Sequence, residues 1–297
     1  MTLEQLRIFV AVAEREHVTQ AARDLNLTQS ATSAAVAALE ARYATKLFDR
    51  VGRRISLTDA GRLFLVEARA VLARASAAEL VLADLAGLRI GSLALAASQT
   101  VGNYWLPKFI HRFQSAYPAL SVTLAMGNTE TVAELVRDGA ATLGFVEGKV
   151  EEPALTATSV GEDEMLLMVP TTHSWAKAKA SDIDLRDARW VLREHGSGTR
   201  AILEGMFRQA GIALSEMDDA LVLPTNEAVR TAVEAGAGVA VLSKLVATNA
   251  LQAGNLVAVD FPVPRREFFM LRHKQHYVTA VEREFVAMVG QQRPAGA

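Results

Sequence analysis

Two short polar stretches have the composition of an anion site. "SQT", residues 98 to 100, follows the alternating run "RIGSLALAAS", and "HGSGTR", residues 195 to 200, follows "RWVLRE". Each lies where a strand pattern gives way to a helix pattern. Free backbone N–H groups at a helix start, with hydroxyls beside them, attract an anion. Ser98, Thr100, Ser197 and Thr199 are therefore candidate ligands, with Gln99, Asn128, Glu147 and His195 as neighbours. Taken singly, each Ser or Thr reads better as an ordinary N-cap. His195 is either a pH-sensitive ligand contact or a loop residue in water.

A third stretch suits a different partner. "TQSATSAAVAALE", residues 28 to 40, closely follows "VTQAARDLNL", residues 18 to 27. Thr28 reads as a cap, and Ala31, Val36 and Leu39 as core positions, which leaves Gln29, Ser30, Thr32 and Ser33 outside. A helix-turn-helix inserts the N-terminal part of its second helix into the DNA major groove. There Gln can bond adenine bidentately, and Ser or Thr can bond bases or phosphates. Downstream, "KLFDRVGRRISLTDAG" reads as a hairpin with Gly52 in the turn. Arg50, Arg53 and Arg54 would make it a basic wing for phosphate or minor-groove contact.

No catalytic constellation accompanies these stretches. "GSGT" lacks the phosphate-loop spacing, and "HGSGT" has His195 where a nucleophile elbow needs Gly. His273 and His276 have no carboxylate cluster near them in sequence, so no metal site is expected. No cofactor loop is expected either.

The elements that would position these residues follow from periodicity. Leu3, Leu6, Phe9, Val10 and Ala13 predict a helix over 2–14. Thr19 starts a second helix ending at Leu25, and Asn26 suits the break. Thr58 and Asp59 cap a long helix over 59–86, with Leu63, Val66, Ala70, Ala73, Ala77 and Leu80 as a heptad-like seam. From residue 88 strands and helices alternate, which predicts an α/β unit with a mainly parallel sheet, followed by a weaker repeat of the pattern. The acidic run Glu162, Asp163, Glu164 reads as a solvated loop where the chain crosses between lobes.

Bulk properties fit this division. A chain of 297 residues predicts two or three domains, and 51% apolar residues can fill their cores. A net charge of −2 confines any nucleic-acid surface to a local patch. The absence of cysteine excludes disulfides and thiolate sites. The N-terminus does not read as a signal peptide, and no run is long enough to span a membrane, so a cytoplasmic location is expected.

The segment from Phe9 to Gly61 resembles the N-terminal domain of a LysR-type transcriptional regulator, nearly without gaps. Ser30 stands where that family usually has Pro, and Ala34 where it usually has Arg. "GNTETVAELVRDGAATLGFVEG" and "VLREHGSGTR" look most like the branch that regulates sulfur assimilation and carbon-fixation operons. The resemblance implies an α+β multi-domain chain. A winged helix-turn-helix would cover 1–58, a linker helix pairing two subunits 59–88, and a two-lobed, periplasmic-binding-protein-like effector domain 89–297. Lobe I would hold 89–161 and 267–297, and lobe II 162–266. It also implies an effector cleft lined by Ser98, Thr100, Ser197 and Thr199, a pseudo-palindromic DNA operator, a homodimer or homotetramer, and contact with RNA polymerase. The competing expectations are a solute carrier that binds no DNA, or an enzyme on the same two lobes.

Overall fold

The computed structural model describes residues 1–51, 54–85, 91–213 and 220–290. The chain divides into two compact units, residues 1–87 with 138–140, and the rest. In the first unit, α1 (Leu3–Arg15) opens with a capping box in which Thr2 and Gln5 bond reciprocally. α2 (Val18–Asp24) is capped by His17, two residues before the expected cap Thr19, and Asn26 takes the left-handed conformation that turns the chain. α3 (Gln29–Tyr43) starts on the Thr28 cap.

The expected hairpin forms from β1 (Phe48–Val51) and β2 (Arg54–Leu57), with Phe48 opposite Leu57 and Val51 opposite Arg54. α4 (Asp59–Leu85) follows, with the Thr58 hydroxyl accepting from the Gly61 N–H. A Cβ on Gly61 would lie 2.1 Å from the Leu47 carbonyl oxygen, so this close approach of helix to wing requires glycine. Phe9 is fully buried between Phe48 and Phe64, which ties α1 to both the wing and α4.

The second unit has two lobes, each built on its own sheet. In lobe I, β3 (Gly91–Ser98) lies between β4 (Leu120–Gly127) and β5 (Leu143–Glu147), all parallel. Beyond β5 the sheet continues as β12 (Arg266–His273) and then β6 (Leu155–Asp163), both pairs antiparallel. The sheet is therefore mixed, where alternation alone predicted mainly parallel order. The returning strand β12 enters from lobe II and runs antiparallel to both β5 and β6.

The helical run after β3 is also broken. Residues Val101–Trp105 form a π-turn, and α5 (Pro107–Ala116) begins at Pro107, as proline favours. α10 (Ala280–Gly290) packs into a core that includes Phe109, Phe113, Phe145, Phe268 and Phe285, while α6 (Thr129–Arg137) packs into a separate cluster with Ala96, Val146 and Leu271.

In lobe II, β7 (Met165–Pro170) is flanked antiparallel by β10 (Ala240–Ser243) and β11 (Leu256–Val259). β8 (Val191–Arg193) and β9 (Leu221–Leu223) pair in parallel, and a Trp190–Val239 bridge joins them to the sheet. α7 (Gly198–Gln209), α8 (Asn226–Glu234) and α9 (Lys244–Gln252) cover it. The sequence patterns had not separated β6, α9 and β11. Sheet membership keeps β6 in lobe I through Asp163 and returns the chain to lobe I at Arg266.

Candidate functional site

The helix-turn-helix presents most of the expected polar face. Thr28, Gln29, Ser30 and Ser33 are exposed. Thr28 accepts from the Ala31 N–H at 3.2 Å, and its hydroxyl meets that of Ser30 at 3.1 Å. Thr32 is a correction. Its exposure is 0%, and its hydroxyl donates to the Thr28 carbonyl at 3.1 Å, so it cannot face DNA. Helix phase is the reason: Thr32, Val36 and Leu39 fall on one face at spacings of four and three, and Ala31, expected inside, is exposed.

The wing is held against this helix by Glu40. Its carboxylate accepts from the Leu47 N–H at 2.8 Å, the Phe48 N–H at 3.2 Å and Lys46 Nζ at 2.9 Å. Burial alone would raise its pKa, but these donors outweigh burial and hold it below the usual value. Arg50 and Arg54 lie on the two wing strands. Arg53, and the side chains of Arg50 and Arg54, fall outside the described residues.

In the second unit the two polar stretches do converge, and they converge on an arginine. Arg266 is 4% exposed. Its NH2 donates to the Thr100 hydroxyl at 3.1 Å and its NH1 to the Thr199 hydroxyl at 3.0 Å, so one guanidinium joins the two stretches across the lobes. Its Nε donates to Asp163 Oδ2 at 2.8 Å, and NH2 lies 2.6 Å from the same oxygen. Asp163 also accepts from the Ser243 hydroxyl of lobe II at 2.8 Å.

Around this centre, Asn226 Nδ2 donates to the Thr100 hydroxyl at 3.0 Å, and Arg193 NH1 donates to Asn226 Oδ1 at 2.5 Å. Gln99 accepts from the Asn226 N–H at 3.1 Å and donates to the Pro224 carbonyl at 3.0 Å. Glu147 accepts from the Thr100 N–H at 3.0 Å and lies 3.9 Å from Arg266.

The acidic run is thus corrected. Asp163 is not solvated but 4% exposed, on a strand directly opposite Arg266. Burial raises its pKa, and nearby Glu147 adds to the rise, while Arg266 and Ser243 oppose it.

Two of the candidate hydroxyls do not serve as helix caps. Thr100 makes no side-chain cap bond, and neither does Ser197, the N-cap of α7. Ser98 turns away from the centre, with its hydroxyl 3.4 Å from the Phe145 carbonyl oxygen. Asn128 bridges the lobes by donating to the His195 carbonyl at 3.1 Å, while the His195 side chain is exposed. Gly198 sets how closely the lobes meet, because a Cβ there would lie 2.4 Å from the Glu147 carbonyl oxygen.

Arg266, Asp163, Asn226, Ser243 and Arg193 escaped the sequence reading. The available signal was position: Arg266 sits at the expected return between lobes, and Asn226 at a helix start.

Known proteins are similar to this chain along nearly its whole length. Residues 3–62 match the family described as "Bacterial regulatory helix-turn-helix protein, lysR family", and residues 86–294 match "LysR substrate binding domain". The HTH-type transcriptional regulator YeiE of Escherichia coli (strain K12), itself described as uncharacterized, is 35% identical, covering 96% of each chain. The HTH-type transcriptional regulator CbbR of Rhodospirillum rubrum is 30% identical, over 94% of this chain and 93% of its own. Full-length CbnR, solved with its target DNA, superposes with a TM-score of 0.71 at 24% identity, covering 99% of this chain and 100% of that one. With a helix-turn-helix in one unit and a two-lobed polar cleft in the other, this chain belongs to the LysR family, as a DNA-binding transcription regulator with an effector-binding domain.

Proposed function

We propose that the regulator senses a small anionic metabolite in the interlobe cleft. The observation that carries this reading is the convergence of the Thr100 and Thr199 hydroxyls on the buried Arg266 guanidinium. A planar fork of donors held between two lobes suits a carboxylate, sulfate or phosphate group. The anion would compete with Asp163 for Arg266 and bind the hydroxyls of both lobes, with Gln99, Asn128, Glu147, His195 and Ser197 at the margins. Ser98, whose hydroxyl faces a main-chain carbonyl of lobe I, supports the strand end rather than the ligand.

On the DNA side, Thr28, Gln29, Ser30 and Ser33 would meet a pseudo-palindromic operator, with Arg50, Arg53 and Arg54 of the wing contacting phosphate. The operator geometry needs two subunits. α4 supports their pairing by leaving Leu63 75% and Val66 48% exposed on its seam. The side chain of Leu80 falls outside the described residues. Assembly to tetramers, contact with RNA polymerase and action in the cytoplasm complete the proposal. Effector binding would shift the populations of lobe and subunit arrangements and so alter DNA bending.

The test is a thermal-shift screen with sulfate, sulfite, thiosulfate, sulfonates, phosphate, sugar phosphates, acetylserine and simple carboxylates. A ligand at a hundred times its Kd stabilises the native state by about 2.7 kcal/mol. A selective hit abolished by Thr100→Val or Thr199→Val is the expected result. A hit that survives both substitutions, or a blank screen with folded protein, sinks the anion reading.

A further inference from the structure

The centre of the cleft is filled by its own hydrogen bonds, but beside it lies a cavity of about 610 Å³ between α6, the chain after β5 and the start of α7. That volume suits a small molecule. Two mostly buried residues line it with a polar atom that has no hydrogen bond among the described residues. Glu147, 4% exposed, gives one carboxylate oxygen to the Thr100 N–H, while Oε2 accepts no hydrogen bond. Ser197, 5% exposed, leaves its hydroxyl unbonded.

The charge of the walls selects the ligand. Arg137 pairs with Glu152 at 3.8 Å and Arg200 with Glu204 at 2.6 Å. That leaves Glu130, Glu134, Glu147 and Glu151 facing Lys149, with His195 at the edge. Glu130 and Glu134 are one turn apart on α6, so both reach the same rim. Negative walls around an unbonded carboxylate oxygen disfavour an anion and favour a cation that donates several hydrogen bonds.

We propose that this cavity binds an ammonium-bearing small molecule, an organic amine or an amino acid, separately from the anion at Arg266. The ammonium would bond Glu147 Oε2, with the rim glutamates supplying the field. An amino acid would also place its carboxylate at Ser197 and the N-terminus of α7. Glu147 is the shared wall, with its other oxygen on the Arg266 side, so the two ligands would be coupled through it.

The test uses the full-length protein, followed by thermal shift and calorimetry, with putrescine, spermidine, lysine and arginine against sodium chloride at equal ionic strength. At least one amine should give a saturable rise in Tm that sodium chloride does not reproduce. Combining Glu130→Gln, Glu134→Gln and Glu151→Gln should weaken it about tenfold, because each is an exposed charge of modest worth, and should leave the unliganded Tm in place. Diamine binding identifies an amine, and binding of lysine or arginine alone identifies an amino acid. No saturable shift with any of the four, or an unchanged Kd in the triple variant, overturns the proposal. Sulfate in the same assay scores the Arg266 site independently, so failure of one reading does not mask the other.

Discussion

Arg266 and Asp163 are cross-strand partners on β12 and β6, the two strands at which the chain passes between lobes, and their charged groups approach to 2.6 Å at 1% side-chain exposure each. Each also reaches into lobe II, Arg266 to Thr199 and Asp163 to Ser243. An ion pair of this kind stabilises little relative to an apolar pair, but losing one partner strands a buried charge. Arg266→Met should cost about 3–5 kcal/mol in urea unfolding. Arg266→Met with Asp163→Leu should recover much of that loss. Equal stability of the single variant and wild type would show that the pair is solvated in solution.

Gly198 tests lobe approach without touching a charge. Gly198→Ala places a methyl 2.4 Å from the Glu147 carbonyl oxygen, and that oxygen is main chain, so the lobes must move apart. Overpacking of this kind costs about 1–3 kcal/mol. Lower unfolding stability with a larger radius of gyration by X-ray scattering is the expected result, and an unchanged radius would mean the clash relaxes locally.

On α3, Gln29 and Thr32 should separate recognition from folding. Gln29→Ala, at an exposed position, should leave stability within about 0.5 kcal/mol. It should weaken operator binding by about 1–3 kcal/mol relative to random DNA in a filter-binding titration. Thr32→Arg should instead unfold the DNA-binding unit, because the site is fully buried. Equal loss on both DNAs for Gln29→Ala would remove it from base readout.

The α4 seam makes a prediction about assembly. Leu63→Glu with Val66→Glu places charge on residues 75% and 48% exposed in the single chain, so the subunit fold should survive. Sedimentation should then show a smaller species, and operator affinity should fall. An unchanged mass would place the subunit contact elsewhere.

Glu282 should set a pH dependence of lobe I. Its carboxylate is fully buried, 3.7 Å from Arg272 and 3.8 Å from His276, and neither of its oxygens is hydrogen-bonded among the described residues. Burial pushes its pKa from 4.5 to about 7, with the positive charges of Arg272 and Arg283 opposing the rise. A carboxyl raised in the folded state binds its proton more tightly there than in the unfolded chain. The contribution of Glu282 to stability is therefore fully present below about 4.5 and is lost as pH rises towards 7. At about 1.4 kcal/mol for each pH unit, the loss is about 3 kcal/mol. Glu282→Gln should flatten this dependence between pH 5 and 8. A slope as steep as wild type would assign the titration to another group.

The sequence by itself determined the order of elements and the nature of both polar surfaces. Capping residues, the Asn26 break and apolar periodicity are local, so α1 to α4, the wing and most strands could be read from neighbours in the chain. The hydroxyls of Thr100 and Thr199 were legible for the same reason, as both sit at strand-to-helix junctions. Tertiary structure decided what those hydroxyls face. Arg266 lies 166 residues from Thr100 and 103 from Asp163, and no local pattern encodes such a pairing. Local reading also put Thr32 outside and Asp163 in water. Helix phase against the whole core buries the first, and a partner strand that returns from the other lobe buries the second, because burial belongs to the assembled packing and not to the segment.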